Sequence, residues 1–106
     1  MNWSVVVKAI IDVLGPLILA RLEEWLKRRL TAHATAFAAA GETTAGPEPD
    51  AAALLRAVRG ELWAWQWRRR AFLDAAIEKV PAAVSKREPL TDDAKRGLSA
   101  LAVAAD

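Results

Sequence analysis

The chain has 106 residues, 54% of them hydrophobic, and a formal net charge of +2. This length accommodates one domain with a modest core, and so small a charge does not by itself indicate a nucleic-acid partner. The absence of cysteine excludes disulfides, thiolate catalysis and cysteine-based metal sites. Alanine, the strongest helix former, accounts for 24 residues and no strand pattern persists, so an all-α fold is predicted.

The first predicted helix spans about residues 2–40 and ends at Gly41, since glycine tolerates the left-handed conformation common at helix ends. Gly15-Pro16 predicts a kink or a short break, because proline removes a backbone donor and crowds the preceding turn. On a helical wheel, apolar side chains occupy most of the circumference before Arg21, and both Trp3 and Trp25 fall on this apolar arc. We therefore expect this helix to be covered on nearly all sides.

A lipid bilayer is one candidate for the surroundings of this apolar first helix, helix 1. The longest charge-free run in this segment, residues 13–20, is too short to span a bilayer. Asp12 opposes insertion by about 3 kcal/mol, which offsets much of the gain from the leucines, isoleucines and valines around it. We expect protein rather than lipid to surround helix 1, with membrane insertion as the alternative.

Turn and capping residues define the remaining elements. A linker over residues 41–50 contains two glycines, two prolines and three acids, a composition in which a helix is not expected to continue. A second helix is predicted over about residues 50–80, with Pro81 as its break. Thr91 is a suitable N-cap for a third helix over about residues 92–105. The whole chain is thus predicted to be a single helical domain, in which two long helices form a hairpin and a shorter C-terminal helix completes it.

The second helix, helix 2, carries large side chains on two opposite faces of a helical wheel. Its predicted core face consists of Ala51, Leu54, Leu55, Val58, Leu62, Trp65, Phe72, Ala76 and Ile77. The opposite face carries two tryptophans one turn apart, three arginines and one aspartate: Trp63, Trp67, Arg56, Arg59, Arg70 and Asp74. Because these tryptophans cannot share one core with Trp65 in a two-layer packing, either another part of the chain covers them or a partner does.

Three kinds of partner fit this second face. A protein interface is favoured by tryptophan and arginine, the residues most enriched at binding hot spots. An anionic membrane would place tryptophan at the headgroup level beside Arg68, Arg69 and Arg70. A nucleic acid would stack its bases on the tryptophans while the arginines neutralise phosphates.

No catalytic, metal or cofactor site is predicted. His33 is the only histidine and has no carboxylate within four residues, so we expect it to be a surface residue without a metal partner. Asp74 and Glu78 share a helical face, but this spacing is more typical of solvated acids paired with Arg70 or Lys79 than of an acid–base pair. We therefore expect a protein without enzymatic activity.

The leading hypothesis is a structural or assembly protein that packs through helix 1 and the second face of helix 2 into a homo-oligomer or a larger particle, such as a virion. The hypothetical partner-binding residues are Trp3, Trp25, Arg56, Arg59, Trp63, Trp67 and Arg70, and the hypothetical basic patch consists of Arg68, Arg69 and Arg70. The alternatives are a membrane-associated protein that uses helix 1 and a nucleic-acid-binding helical module. A cytoplasmic or particle-associated location is expected rather than secretion, because the start of the chain lacks a signal-peptide pattern.

Overall fold

The computed structural model describes residues 2–106 and confirms the all-helical class, since these residues contain no strand. Five α-helices are present in this range: α1 (Trp3–Leu14), α2 (Ala20–Ala39), α3 (Pro47–Gly60), α4 (Trp67–Lys86) and α5 (Asp92–Ala105). Single 3-10 turns at Gly15–Leu17 and Ala64–Gln66 separate α1 from α2 and α3 from α4. The helices form two successive hairpins, α1–α2 and α3–α4, and α5 packs on α4.

The first predicted helix, over residues 2–40, forms two separate helices, α1 and α2, rather than one kinked helix. Asn2 caps α1 by accepting a hydrogen bond from the Val5 N–H at 2.9 Å. After the 3-10 turn that contains Pro16, the backbone becomes extended at Ile18 and α2 folds back along α1. Pro16 has no N–H to continue the α-helical ladder, and its ring crowds the preceding turn. The break that the sequence predicted as one possibility is therefore present at Gly15-Pro16, and the chain reverses its direction there.

Because of this reversal, other helices of the same chain bury the apolar side chains of α1, which the sequence had predicted to pack against a partner. Val6, Ile10 and Leu14 are fully buried, and α1 packs against α2, α3 and α4. Trp3 is only 8% exposed, and its indole N–H donates to the Glu42 carbonyl oxygen at 3.1 Å. The prediction of α1 as a partner-binding helix, with Trp3 as a partner-binding residue, is therefore wrong, because the chain itself buries the apolar side of α1.

The continuous helix predicted over residues 50–80 is also wrong. The chain leaves the α-helix after Gly60, makes a turn, and starts α4 at Trp67. The two halves pack against each other, so that the apolar residues on either side of the turn share one core. Among the predicted core residues, Ala51, Leu54, Leu55, Val58, Phe72 and Ala76 are buried, and Leu62 and Ile77 are partly buried.

Helix α4 continues through Pro81, where the sequence predicted a break, and ends at Lys86. Pro81 is buried together with Val80 and Ala83, so tight packing keeps the helix in place although the proline donates no hydrogen bond. Arg87 then adopts the left-handed conformation that ends the helix, with φ of 54°. The predicted N-cap of α5 is confirmed, because Thr91 Oγ1 accepts from the Ala94 N–H at 3.2 Å.

The linker before α3 is organised by one buried acid. Asp50 is 2% exposed and accepts hydrogen bonds from the backbone N–H groups of Ala45, at 2.9 Å, and Gly46, at 3.3 Å. Its carboxylate also lies near the N-terminus of α3, where the helix dipole favours negative charge. Two otherwise unpaired backbone donors are thereby satisfied, which fixes the path of the linker into the helix.

Candidate functional site

The turn between α3 and α4, residues 61–67, exposes three tryptophans, and we call it the tryptophan turn. Trp63 is 71% exposed, Trp65 is 77% exposed and Trp67 is 60% exposed. Tryptophan is usually well buried, because its large apolar surface is unfavourable in water. Three such side chains within five residues therefore form the most conspicuous uncovered apolar surface among the described residues.

The local backbone explains why all three of these side chains are exposed. A continuous helix would place Trp63 and Trp65 on nearly opposite faces, whereas the chain is extended at Trp63 and then makes a 3-10 turn. The Gln66 side chain accepts from the Trp63 N–H at 2.9 Å, which closes this turn. The prediction that Trp65 belongs to the core is wrong, because the turn carries it away from α1 and α3.

Glu61 ties the start of the tryptophan turn to α2. Its carboxylate accepts two hydrogen bonds from Arg29, at 2.5 Å from Nη2 and 2.8 Å from Nε, and also contacts Nε2 of His33. The hydrogen bond from Arg29 is the main reason why the pKa of Glu61 lies below its usual range, and the same pair raises the pKa of Arg29. His33, which the sequence predicted to be a surface residue, is partly buried and contacts Glu61.

We expect Glu61→Gln to lower the melting temperature of the chain at neutral pH, because the neutral amide loses the charged part of both contacts. The pKa of Glu61 is lower in the folded chain than its ordinary value of 4.5, so its stabilising contribution is complete above about pH 4.5 and lost as the pH falls through the lowered pKa. Thermal unfolding followed by circular dichroism across this range tests the expectation. Wild type and variant should converge in acid; a difference that persists there would contradict the assignment.

The three consecutive arginines after the turn do not form one continuous basic patch. Arg68 is exposed and lies over the Trp67 ring, 4.8 Å from its centroid. Arg70 is partly buried and has no ion pair within residues 2–106. Arg69 points towards the bundle, where it stacks 4.6 Å from the centroid of the half-buried Trp25 ring and donates to the Ala105 carbonyl oxygen at 3.2 Å. The predicted basic patch is therefore reduced to Arg68 and Arg70.

Two further arginines of the predicted interface are placed elsewhere. Arg59 forms an ion pair with Asp74 on α4, rather than the pairing of Asp74 with Arg70 considered from the sequence. Arg56 lies farther along the α3–α4 hairpin, beside Ile77 and Glu78, and not at the tryptophan turn. The surface that remains of the predicted partner-binding set consists of Trp63, Trp67 and Arg70, to which the structure adds Trp65 and Arg68.

A shallow groove of about 360 Å³ separates the tryptophan turn from the end of α5. Its lining residues are Trp65, Gln66, Arg68, Arg69, Ala104, Ala105 and Asp106. The Asp106 carboxylate accepts a hydrogen bond from the backbone N–H of Leu22 at 3.2 Å, at the start of α2. The base of the tryptophan turn is thus held by contacts with α2 and α5, while its tryptophan side chains remain open to solvent.

Within residues 2–106, no group of three histidine or carboxylate side chains is arranged to hold a metal ion. The same residues include no helix of sufficient length and apolarity to cross a membrane. The comparisons with known proteins give no relative from which an activity could be transferred: no family model, no curated protein and no solved structure matches this chain.

Proposed function

We propose that this chain is a non-enzymatic docking protein, in which the helical bundle presents the tryptophan turn to the surface of a larger body. The observation that carries the proposal is the exposure of Trp63, Trp65 and Trp67 at 71%, 77% and 60% on a single turn. Each such side chain removes about 150–250 Å² from water when it is covered. Covering all three at once would provide a strong driving force for attachment.

The anchoring of the turn supports a binding role. Flexible apolar side chains lose conformational entropy when they dock, whereas a surface that is already ordered loses less. Glu61 connects the turn to α2, and Arg69 connects its far end to Trp25 and α5. The tryptophans are therefore displayed from a fixed base, as expected of a preorganised binding surface.

The assembly hypothesis from the sequence is retained in a narrower form. Its first proposed surface, helix 1, is covered within the chain, as the full burial of Ile10 and Leu14 illustrates. Attachment to a homo-oligomer, a larger particle or another extended surface would then depend on the tryptophan turn alone. A virion remains one such particle in this proposal.

Simultaneous replacement of Trp63, Trp65 and Trp67 by serine is expected to abolish attachment while leaving the fold intact. Because the three side chains are exposed, thermal unfolding of the variant should resemble that of wild type. In cells producing the chain, wild type should sediment with a particulate or membrane fraction, and the triple variant should stay in the supernatant as a monomer.

A matched control removes exposed apolar side chains outside the turn, at Leu19 and Val103, which are 51% and 67% exposed. The double variant Leu19→Ser with Val103→Ser should sediment like wild type. An identical distribution and mass for wild type and the triple tryptophan variant would overturn the docking proposal.

A further inference from the structure

We propose that the surface docked by the tryptophan turn is an anionic lipid bilayer, onto which the turn inserts its indole rings at the level of the headgroups. This inference rests on the proposed docking function and names its partner. Tryptophan suits the membrane interface because its ring is apolar while its N–H still finds polar partners there. The three rings of Trp63, Trp65 and Trp67 provide such an anchor on one short segment.

The exposure of the three rings favours a lipid bilayer as the partner over a protein with a complementary pocket. Trp63, Trp65 and Trp67 are each at least 60% exposed, so each ring is surrounded mainly by solvent rather than by other side chains of the chain. Binding hot spots between proteins are typically close-packed into complementary pockets and surrounded by contacts that exclude water. A bilayer interface needs no such complementary shape, because lipids rearrange around each inserted ring.

The charged side chains without an acidic partner in the first turn of α4, directly after the rings in sequence, are positive, which is complementary to anionic headgroups. Arg68 and Arg70 have no acidic partner within residues 2–106, although Arg68 also lies over Trp67. The nearby acids are already engaged by the protein: Glu61 by Arg29 and His33, Asp74 by Arg59, and Asp106 by the Leu22 N–H. Juxtamembrane arginines are attracted to anionic leaflets, each by about a factor of five in affinity.

The same charges disfavour two other partners for the tryptophan turn, a second copy of the chain and a nucleic acid. A second copy of the chain docked about a two-fold axis would place like surface against like surface, and so bring Arg68 and Arg70 towards their own counterparts. Strong binding of a nucleic acid through its backbone depends on several phosphate contacts from lysine and arginine, on the order of 6–10 in strongly salt-dependent complexes. The first turn of α4, directly after the tryptophan turn, offers two arginines without an acidic partner for that purpose, and the whole chain carries a formal net charge of only +2.

Binding of the purified full chain to lipid vesicles tests the inference. Vesicles of phosphatidylcholine alone are compared with vesicles in which roughly one lipid in three is phosphatidylserine, and the bound fraction is measured by flotation. Wild type should float with the phosphatidylserine vesicles and bind the neutral ones far more weakly. Brominated acyl chains should quench part of the tryptophan fluorescence and leave the emission of the buried Trp3 largely unchanged.

Two variants separate ring insertion from charge attraction. The triple replacement Trp63→Ser, Trp65→Ser and Trp67→Ser should remove both flotation and quenching. The double replacement Arg68→Gln with Arg70→Gln should weaken binding to the anionic vesicles roughly 25-fold, from about a factor of five for each arginine. Added salt should reduce wild-type binding to the same vesicles, because surface charges are screened.

A charge-matched control lies at the start of α5, which follows the far end of α4. The double replacement Lys95→Gln with Arg96→Gln removes the same number of positive charges from exposed positions. It should bind the anionic vesicles far more tightly than Arg68→Gln with Arg70→Gln. Equal losses for the two double variants would show a general charge effect and would overturn the role assigned to the tryptophan turn.

The outcomes also distinguish this inference from the proposal on which it depends. Wild type that binds neither kind of vesicle would show that the lipid partner is wrong. The docking function would still stand if wild type forms oligomers or binds a single-stranded oligonucleotide and the triple tryptophan variant does not. If wild type binds vesicles and the triple variant binds them equally well, both the docking surface and its lipid partner are wrong.

Discussion

Replacement of Phe72 by alanine is expected to lower the free energy of unfolding by about 3–5 kcal/mol. Phe72 is fully buried on α4 and belongs to the core cluster shared with α1, α2, α3 and α5. Its removal takes away the apolar contacts of a whole ring and leaves a cavity that the surrounding helices fill only in part. Since small domains are stable by only about 5–15 kcal/mol, this single change would remove a large share of the total.

Chemical denaturation followed by circular dichroism measures this effect, and Trp65→Ala provides the control. Trp65 is larger than Phe72 but 77% exposed, so its replacement should alter the free energy of unfolding by no more than about 0.5 kcal/mol. A larger loss at Trp65 than at Phe72 would mean that Trp65 lies in the core, as its spacing in the sequence first indicated. The description of the tryptophan turn would then be wrong.

The second large effect is expected at Asp50, where alanine should lower the free energy of unfolding by about 1–3 kcal/mol. The substitution leaves the backbone N–H groups of Ala45 and Gly46 without the carboxylate that now accepts their hydrogen bonds. It also removes a negative charge from the first turns of α3, where the helix dipole favours one. Chemical denaturation provides the measurement, and hydrogen exchange of the Ala45 and Gly46 amides should become faster.

Glu48→Ala is the appropriate comparison for Asp50→Ala, because Glu48 lies in the first turn of the same helix but is exposed. Its replacement should alter the free energy of unfolding by no more than about 0.5 kcal/mol, through the helix dipole alone. Similar losses for both variants would show that the dipole, and not the hydrogen bonds within the linker, accounts for the contribution of Asp50.

The sequence predicts best the features that depend on neighbouring residues. The cap at Thr91, the extent of α5 and the interruption at Gly15-Pro16 all follow from the local preferences of threonine, aspartate and proline. The reversal after Gly60 has no comparable signal, because a lone glycine in a helical pattern is tolerated at a modest cost. Since apolar residues recur at helical spacing on both sides of it, their periodicity cannot distinguish one long helix from two that pack against each other.

The site was predictable only in part for the same reason. Tryptophans at every second position fit no single helical face, and this alternation was the available sign that the helix is interrupted near Trp65. The contacts of Glu61 with Arg29 and His33 join residues 32 and 28 positions apart. Neither contact leaves a trace in local spacing, so they become visible only once the packing of α2 against α3 is known.

The contacts of the Arg69 side chain with Trp25 and α5 have a practical consequence for mutagenesis. Three adjacent arginines are an obvious target for replacement as a block, yet the middle one stacks on Trp25 and donates a hydrogen bond to the end of α5. Of its two neighbours, Arg68 lies over the exposed Trp67 ring, and Arg70 has no ion pair within residues 2–106. A block replacement would therefore loosen helix packing and remove surface charge at the same time, so that a loss of binding could not be attributed to either cause. The outer two positions have to be altered separately from the middle one.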